Sequence, residues 1–306
     1  MNAFLFTFIF WGFYAHSLIN QVATYSLPPE MMVLYKINQD FIKTKAVNPD
    51  RRRYAVKGEA EKHYIDLDHY PDSIRYSLPL YWNQALELYS EDSLRAQGIG
   101  PWAAYQTFLS LTKAFEKKNT NAILRLSADL GHYLADLNVP LHTTKNYNGQ
   151  LTGQEGIHGF WESRIPELNS QNYALWVSKA EYVEKPQLAI WEAVWQAHDQ
   201  VDSVLSIERR LTGEFAEDEK FSFEERNGLT VRVYSKAFSQ AYEKALDGQI
   251  ERQMKKSIKM IADFWYTAWI NAGQPDLSSF EGSNIEEEDL VVDPDLQVRK
   301  HGGLER

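Results

Sequence analysis

Between Asn121 and Leu137 the apolar residues Ile123, Leu126, Leu130, Leu134 and Leu137 recur at spacings of three and four, the period of one helix face. A stripe of that kind is stable only when other apolar elements cover it, so the rest of the chain must supply them. Helical patterns run from Ala15 to about Val47 with a break at Pro28-Pro29, from Leu80 to Gln97, from Pro101 to about Lys118, from about Gly153 to Arg164, from Pro186 to Leu211 and from Arg232 to Ala272. Asn48 to Lys62 is polar and basic, and His63 to Tyr70, closed by Pro71, reads as a loop or short irregular segment. No repeat and no linker divides residues 11–277. An all-α fold is expected, a single multi-helix domain over 11–277.

Composition narrows the chemistry. The 9 Trp, 17 Tyr and 15 Phe among 306 residues exclude a disordered chain. Asp plus Glu at 42 against Lys plus Arg at 32 gives a net charge of −10, which argues against a broad surface for polyanions. The chain has no cysteine, which removes disulfides, thiolate zinc sites, iron–sulfur clusters and a cysteine nucleophile together. Any metal must be held by His, Asp and Glu.

The termini differ from the body. Ala3 to Phe10 is unbroken apolar sequence, too short to span a bilayer at about 20 residues but suited to the core of a secretory signal. No basic residue precedes it and no small-x-small site stands before Trp11. Residues 1–10 are expected to be a signal segment, and cleavage before Trp11 would export the protein to a periplasm or the medium, with no integral membrane anchor after processing. Residues 278–306 turn polar, with the run Glu286-Glu287-Glu288-Asp289, and are expected to form an acidic, flexible tail.

Histidine and carboxylate spacing carries the functional signal. His132 and Asp136, four apart, project from one face of the striped helix, about 220° round from the leucines, and are expected to look away from the aliphatic core. His142 follows just beyond Pro140, and His158 and Glu162 repeat the four-residue spacing. Five potential ligands in thirty-one residues suit zinc, or less specifically iron or manganese. One such pair alone would read as a surface ion pair. Asp50, His63 and His16 lie upstream, although Asp50 also reads as a turn aspartate beside arginines. Asp66, Asp68 and His69 read equally as ligands or as residues that cap and orient their neighbours. Asp129 and Arg125 share the ligand face, as partners of the ligands or as a solvated ion pair. His198 and His301 read as non-catalytic.

The segment from Gly131 to His142 resembles the His-x-x-x-Asp-x-x-x-Pro-Leu-His signature of the superfamily of zinc-dependent phospholipase C and the single-strand-specific, fungal-type nucleases. Trp11-Gly12-Phe13-Tyr14-Ala15-His16 resembles that family's mature start, and His158-Gly159-Phe160-Trp161-Glu162 its last ligand pair. The resemblance implies three zinc ions in one cleft. Asp50, His63 and His132 would hold the first, and His142, His158 and Glu162 the second. The amine and carbonyl of Trp11 with His16 would hold the third, Asp136 bridging it to the first. An unprocessed chain, its Trp11 nitrogen acylated, would then be short of one metal. Glu162 matches the bacterial phospholipase, whereas the short Trp11 to His16 spacing matches the nucleases.

The activity implied is hydrolysis of a phosphodiester, with Asp50 as the catalytic residue that orients an attacking water or accepts its proton. The substrate would be a phospholipid head group or, in the alternative, single-stranded nucleic acid. Tyr64, Tyr147, Phe160 and Trp161 could stack on bases or rim a lipid site, and core packing explains each equally well. No obligate protein partner is evident. From other classes, the same residues fit a metal-stabilised helical binding module without catalysis, or a hemerythrin-like di-iron bundle.

Overall fold

The computed structural model describes residues 12–226 and 228–278. The expected signal segment, Trp11 and the tail beyond Ser278, with His301, lie outside the described residues.

The striped segment forms a helix, Thr120–Asp136, here the central helix. The chain enters it through a tight reversal after the Gly100–Glu116 helix. Lys118 adopts a left-handed φ of 51°, and the amides of Lys118 and Asn119 close on the carbonyls of Phe115 and Ala114. Asn119 then caps the new helix, its side-chain oxygen accepting from the Ala122 amide at 3.1 Å. Ile123, Leu130, Leu134 and Leu137 are buried in a cluster with Phe108, Leu111, Ile258, Phe264 and Trp265, and Leu126 packs against it half-buried.

The ligand face of the central helix does not look outward as expected. Every residue from Ser127 to Asp136 is buried, because polar and apolar faces are both covered. Four segments lead the chain: α1 (Gly12–Ala23), α2 (Pro29–Ile37), α3 (Gln39–Lys45) and α4 (Asn48–Arg52). Of these, α1, α3 and α4 pack on the central helix, and α1 also packs on the long C-terminal helix, Gln249–Asn271. Proline stands in the first turn of α2 and α4, where its missing N–H costs nothing.

Three helical patterns are subdivided and a fourth is shortened. Leu80 to Gln97 yields Trp82–Leu88 and Glu91–Ala96, the second capped by Ser90, and Pro186 to Leu211 yields Pro186–His198 and Val201–Glu214. The Gly153 to Arg164 pattern starts as turns and winds only from residue 157. The expected helix from Arg232 starts instead within a strand. Here β1 (Phe221–Arg226) pairs antiparallel with β2 (Leu229–Tyr234), from Phe221 opposite Tyr234 to Arg226 opposite Leu229. Helices Lys236–Ala245 and Gln249–Asn271 follow, broken where Asp247 and Gly248 take positive φ. The fold is all-α apart from this hairpin. Among the described residues no helix is long and apolar enough to cross a membrane.

A buried ionic network fastens α4 to the central helix. Arg52 reaches both oxygens of Asp129 at 2.9 and 3.2 Å and Glu59 at 3.2 Å, while Tyr133 and Lys62 also donate to Glu59. Asp129 therefore takes its partner from α4. Burial alone would raise the Glu59 carboxyl, but Arg52 and Lys62 hold it down at about 2; burial lifts Asp129 in spite of Arg52. A carboxyl with a depressed folded pKa adds stability above its ordinary value and loses it as pH falls through the folded one. Glu59→Gln is expected to cost about 1.5–3 kcal/mol at pH 7, with the difference from wild type shrinking as pH drops from 4.5 to about 2. Urea denaturation across that range checks it, and a pH-independent difference would contradict it.

Candidate metal centre

Three local devices carry the site. The first is the contact of α1 with Gly131. A Cβ on Gly131 would stand 2.0 Å from Asn20 Oδ1, so only glycine lets the Asn20 side chain lie there. Asn20 Nδ2 donates to the His16 carbonyl at 3.0 Å, and the His16 ring stacks on that of His132 with centroids 4.0 Å apart.

The second device locks His63 to His142. The Ile65 amide donates to the His142 carbonyl at 2.9 Å, and His142 Nδ1 returns a bond to the His63 carbonyl at 2.6 Å. Behind them Gly98, at φ 88°, passes so close to the chain that a Cβ would meet the Tyr64 carbonyl oxygen at 2.3 Å. His198 Nδ1 contacts the Thr143 carbonyl and hydroxyl at 3.1 and 3.0 Å. Asp68 accepts from the Thr144 hydroxyl at 2.7 Å and the Lys145 amide at 2.9 Å. Asp68 and His198 thus brace the loop after His142, and His69 lies edge-on to Tyr70.

The third device is a π-helical turn, Gly159–Arg164, a winding that recurs at functional sites. It follows His158, whose Nδ1 donates to the Tyr147 carbonyl at 3.1 Å, and contains Glu162. Its Phe160 stacks on Tyr234 at 3.8 Å, and Trp161 Nε1 donates to Gln249 at 3.1 Å. Tyr64, Phe160 and Trp161 are buried core residues. Tyr147 is half-buried, its ring edge-on to His158 at 6.4 Å.

These devices bring together all eight described candidates. Asp50, His63 and His132 form one group, His142, His158 and Glu162 a second, and His16, His132 and Asp136 a third, with ligand atoms within 4.8 Å inside each group. Asp136 Oδ2 lies 2.9 Å from His63 Nδ1 and 3.2 Å from His132 Nε2, and its Oδ1 is 3.2 Å from His16 Nε2. Glu162 Oε2 lies 2.7 Å from His158 Nε2 and 3.5 Å from His142 Nε2. Its Oε1 also reaches His16 at 3.4 Å, a link the spacing does not suggest. Asp50 Oδ1 stands 3.7 Å from both His63 and His132. Gly12 opens α1 directly over the group: a Cβ there would be 3.3 Å from Glu162 Oε1 and 4.0 Å from Asp50 Oδ2.

The donor chemistry fits a cation. His132, His142 and His158 commit Nδ1 to the carbonyls of Ala46, His63 and Tyr147, which fixes the tautomer and turns the Nε2 lone pairs inward. Burial, helped by Arg53 and His132, outweighs the contact with Asp136 and pushes His63 down to about 4, which favours its neutral form. Burial should neutralise Asp136 and Glu162, yet the surrounding histidines hold both well below the usual carboxylate range. His16 is pushed up to about 10 because Asp136 and Glu162 overcome the burial that opposes its charge. Buried carboxylates of this kind require positive charge beside them, from a proton on His16 or from a metal ion.

Sequence spacing does not reveal Arg53. It is 3% exposed, its Nη1 lies 3.4 Å from Asp50 Oδ1, and its buried Nε and Nη2 have no hydrogen-bond partner among the described residues. The only signal was adjacency to Asp50 in an arginine run.

No family model matches the chain, and no curated protein matches it in sequence. Among solved structures it is similar to the alpha toxin from Clostridium absonum, with a TM-score of 0.50 and 13% identity over 84% of this chain. The alignment spans 64% of the toxin's length. Clostridium perfringens alpha-toxin from an avian strain aligns at a TM-score of 0.47 and 10% identity, covering 89% of this chain and 66% of that one. The likeness to the first is one of fold.

Gly131→Ala is expected to force Asn20 aside and cost about 1–3 kcal/mol. Asn20→Ala in the same chain should recover part of the loss. Thermal unfolding of the single and double variants checks this, and additive effects would refute the contact.

Proposed function

We propose that the chain is a zinc-dependent phosphodiesterase of phospholipase C type. Asp50, His63 and His132 would hold one ion, His142, His158 and Glu162 a second, and His16 with the Trp11 main chain a third, bridged by Asp136. The observation that carries the reading is Arg53. A purely structural metal cluster has no use for a buried guanidinium with two unpartnered nitrogens, whereas an anionic phosphoryl oxygen supplies the acceptors they lack.

Zinc, when bound, supplies Lewis acidity toward phosphate and makes water acidic enough to attack near neutral pH. The chain's own residues do the rest. Arg53 donates to a phosphoryl oxygen and fixes its position. Asp50, with a side chain 20% exposed where its neighbours are almost wholly buried, faces the solvent side; it orients the attacking water and takes its proton. As the new P–O bond forms, the bond to the alcohol oxygen breaks, and that oxygen leaves with the proton that Asp50 took from the water, passed on directly or through solvent. The carbonyl-anchored histidines hold their lone pairs fixed throughout, so no reorganisation is needed.

Burial of Tyr64, Phe160 and Trp161 in the core leaves Tyr147 alone of the four to meet a substrate of either kind. The net charge of −10 favours lipid over nucleic acid.

Hydrolysis of bis-p-nitrophenyl phosphate, phosphatidylcholine and single-stranded DNA, each with and without chelator, together with metal content, tests the reading. Chelator-sensitive cleavage with phosphatidylcholine preferred is expected; preference for DNA would select the nuclease, and a zinc-loaded but inert protein the binding module. His132→Ala and His142→Ala should each abolish the metal-dependent rate, and near-normal activity in either would sink the scheme. Arg53→Gln is expected to lower kcat/KM by about a hundred- to a thousandfold with metal content unchanged.

A further inference from the structure

The hairpin is built onto the segment that carries His158 and Glu162. Tyr234 stacks on Phe160, and Arg164 pairs with Glu224 and donates to the Tyr234 carbonyl. On the other side, the hairpin and the turn at 153–155 enclose a recess of about 530 Å³, ample for a small ligand. Its lining carries both signs of charge, Lys220 and Arg232 against Glu155, among the rings of Phe221, Phe223 and Tyr234.

The two cations are not equivalent. Lys220 is committed, its Nζ lying 2.7 Å from Glu208 Oε1; Glu208 is 1% exposed and also accepts from Gln154, which fixes the floor of the recess. The Arg232 Cζ stands 3.6 Å from the centroid of the Phe221 ring, and Arg232 pairs with no carboxylate among the described residues. A guanidinium that rests on a ring keeps N–H donors for an anionic ligand. Phe223 stands opposite Arg232 in the ladder and is 73% exposed.

We propose that this recess is a second, non-catalytic site for a zwitterionic head group, a phosphate ester joined to a quaternary ammonium, presented at a lipid surface. The phosphate takes the Arg232 N–H donors. The ammonium rests on the aromatic faces with Glu155 beside it. Phe223 enters the interfacial layer, as exposed rings do at a bilayer surface. Glu155, in the lining, stands three residues before His158 in the chain, and a head group seated there would hold the enzyme at the lipid surface. The inference rests on the phosphodiesterase reading for its lipid, and names the surface that enzyme would work on.

The test is sedimentation of the zinc-loaded protein with vesicles of a phosphonate analogue of phosphatidylcholine, whose P–C bond resists cleavage, beside phosphatidylglycerol vesicles. Free phosphocholine serves as competitor. Binding to the zwitterionic vesicles is expected, displaced by phosphocholine and weakened at least tenfold by Phe223→Ser and by Arg232→Gln, each at an unchanged thermal midpoint. Failure of the wild type to bind, wild-type affinity in both variants, or equal affinity for phosphatidylglycerol would each overturn the site. Bis-p-nitrophenyl phosphate hydrolysis by the wild type separates the two ideas: active enzyme with unaltered variant binding removes only the recess, and inert enzyme removes the phosphodiesterase reading.

Discussion

The rest of the structure depends on where three imidazole protons go. A buried histidine offers a lone pair to a common centre only if its other nitrogen has spent its hydrogen elsewhere, and His132, His142 and His158 each spend it on a backbone carbonyl. Those carbonyls belong to Ala46, His63 and Tyr147, the first two in segments that must be brought to the ring from far along the chain. The reversal at Lys118, the close pass of Gly98 and the π turn after His158 all serve that placement. Without those carbonyls nothing would fix which way each ring turns, and the Nε2 atoms would lose their common focus.

Charge sets the second requirement. Asp50, Asp136 and Glu162 crowd into one small volume, Asp136 wholly buried and Glu162 nearly so, and the histidines around them hold Asp136 and Glu162 well below the usual carboxylate range. The Arg52 network stands behind this cluster and fastens α4, which carries Asp50, to the central helix. Two charged systems thus lie back to back along one helix face, one closed on itself and one open to a ligand.

Much of this was legible in the sequence because it is local. The Leu stripe, the four-residue spacings of His132 with Asp136 and of His158 with Glu162, and the turn at Pro140 follow from helix geometry, and the eight described candidates do converge. What was not legible depends on distant partners. The ligand face was expected to look outward, and only the docking of α1, α3 and α4 buries it. Arg53 looked like one more arginine in a polar run until its burial beside Asp50 was seen. The hairpin had a period-two signal in Leu229-Thr230-Val231-Arg232-Val233-Tyr234, masked by the strong helix pattern that follows. The π turn has no signature in spacing, since i and i+4 pairing looks the same in both windings.

The seat of α1 has a consequence for the order of assembly. His16 meets His132 across 116 residues, and α1 lies against both the central helix and the last long helix of the described chain. Contacts so remote in sequence form late, because the entropy of closing the intervening loops must be offset first. The ligands from His132 to Glu162 lie within one short stretch and can gather early. The seat of His16 between Asp136 and Glu162 is complete only when the Gln249–Asn271 helix also lies against α1. Among the described residues, the helix nearest the start of the chain thus waits on the one nearest its end.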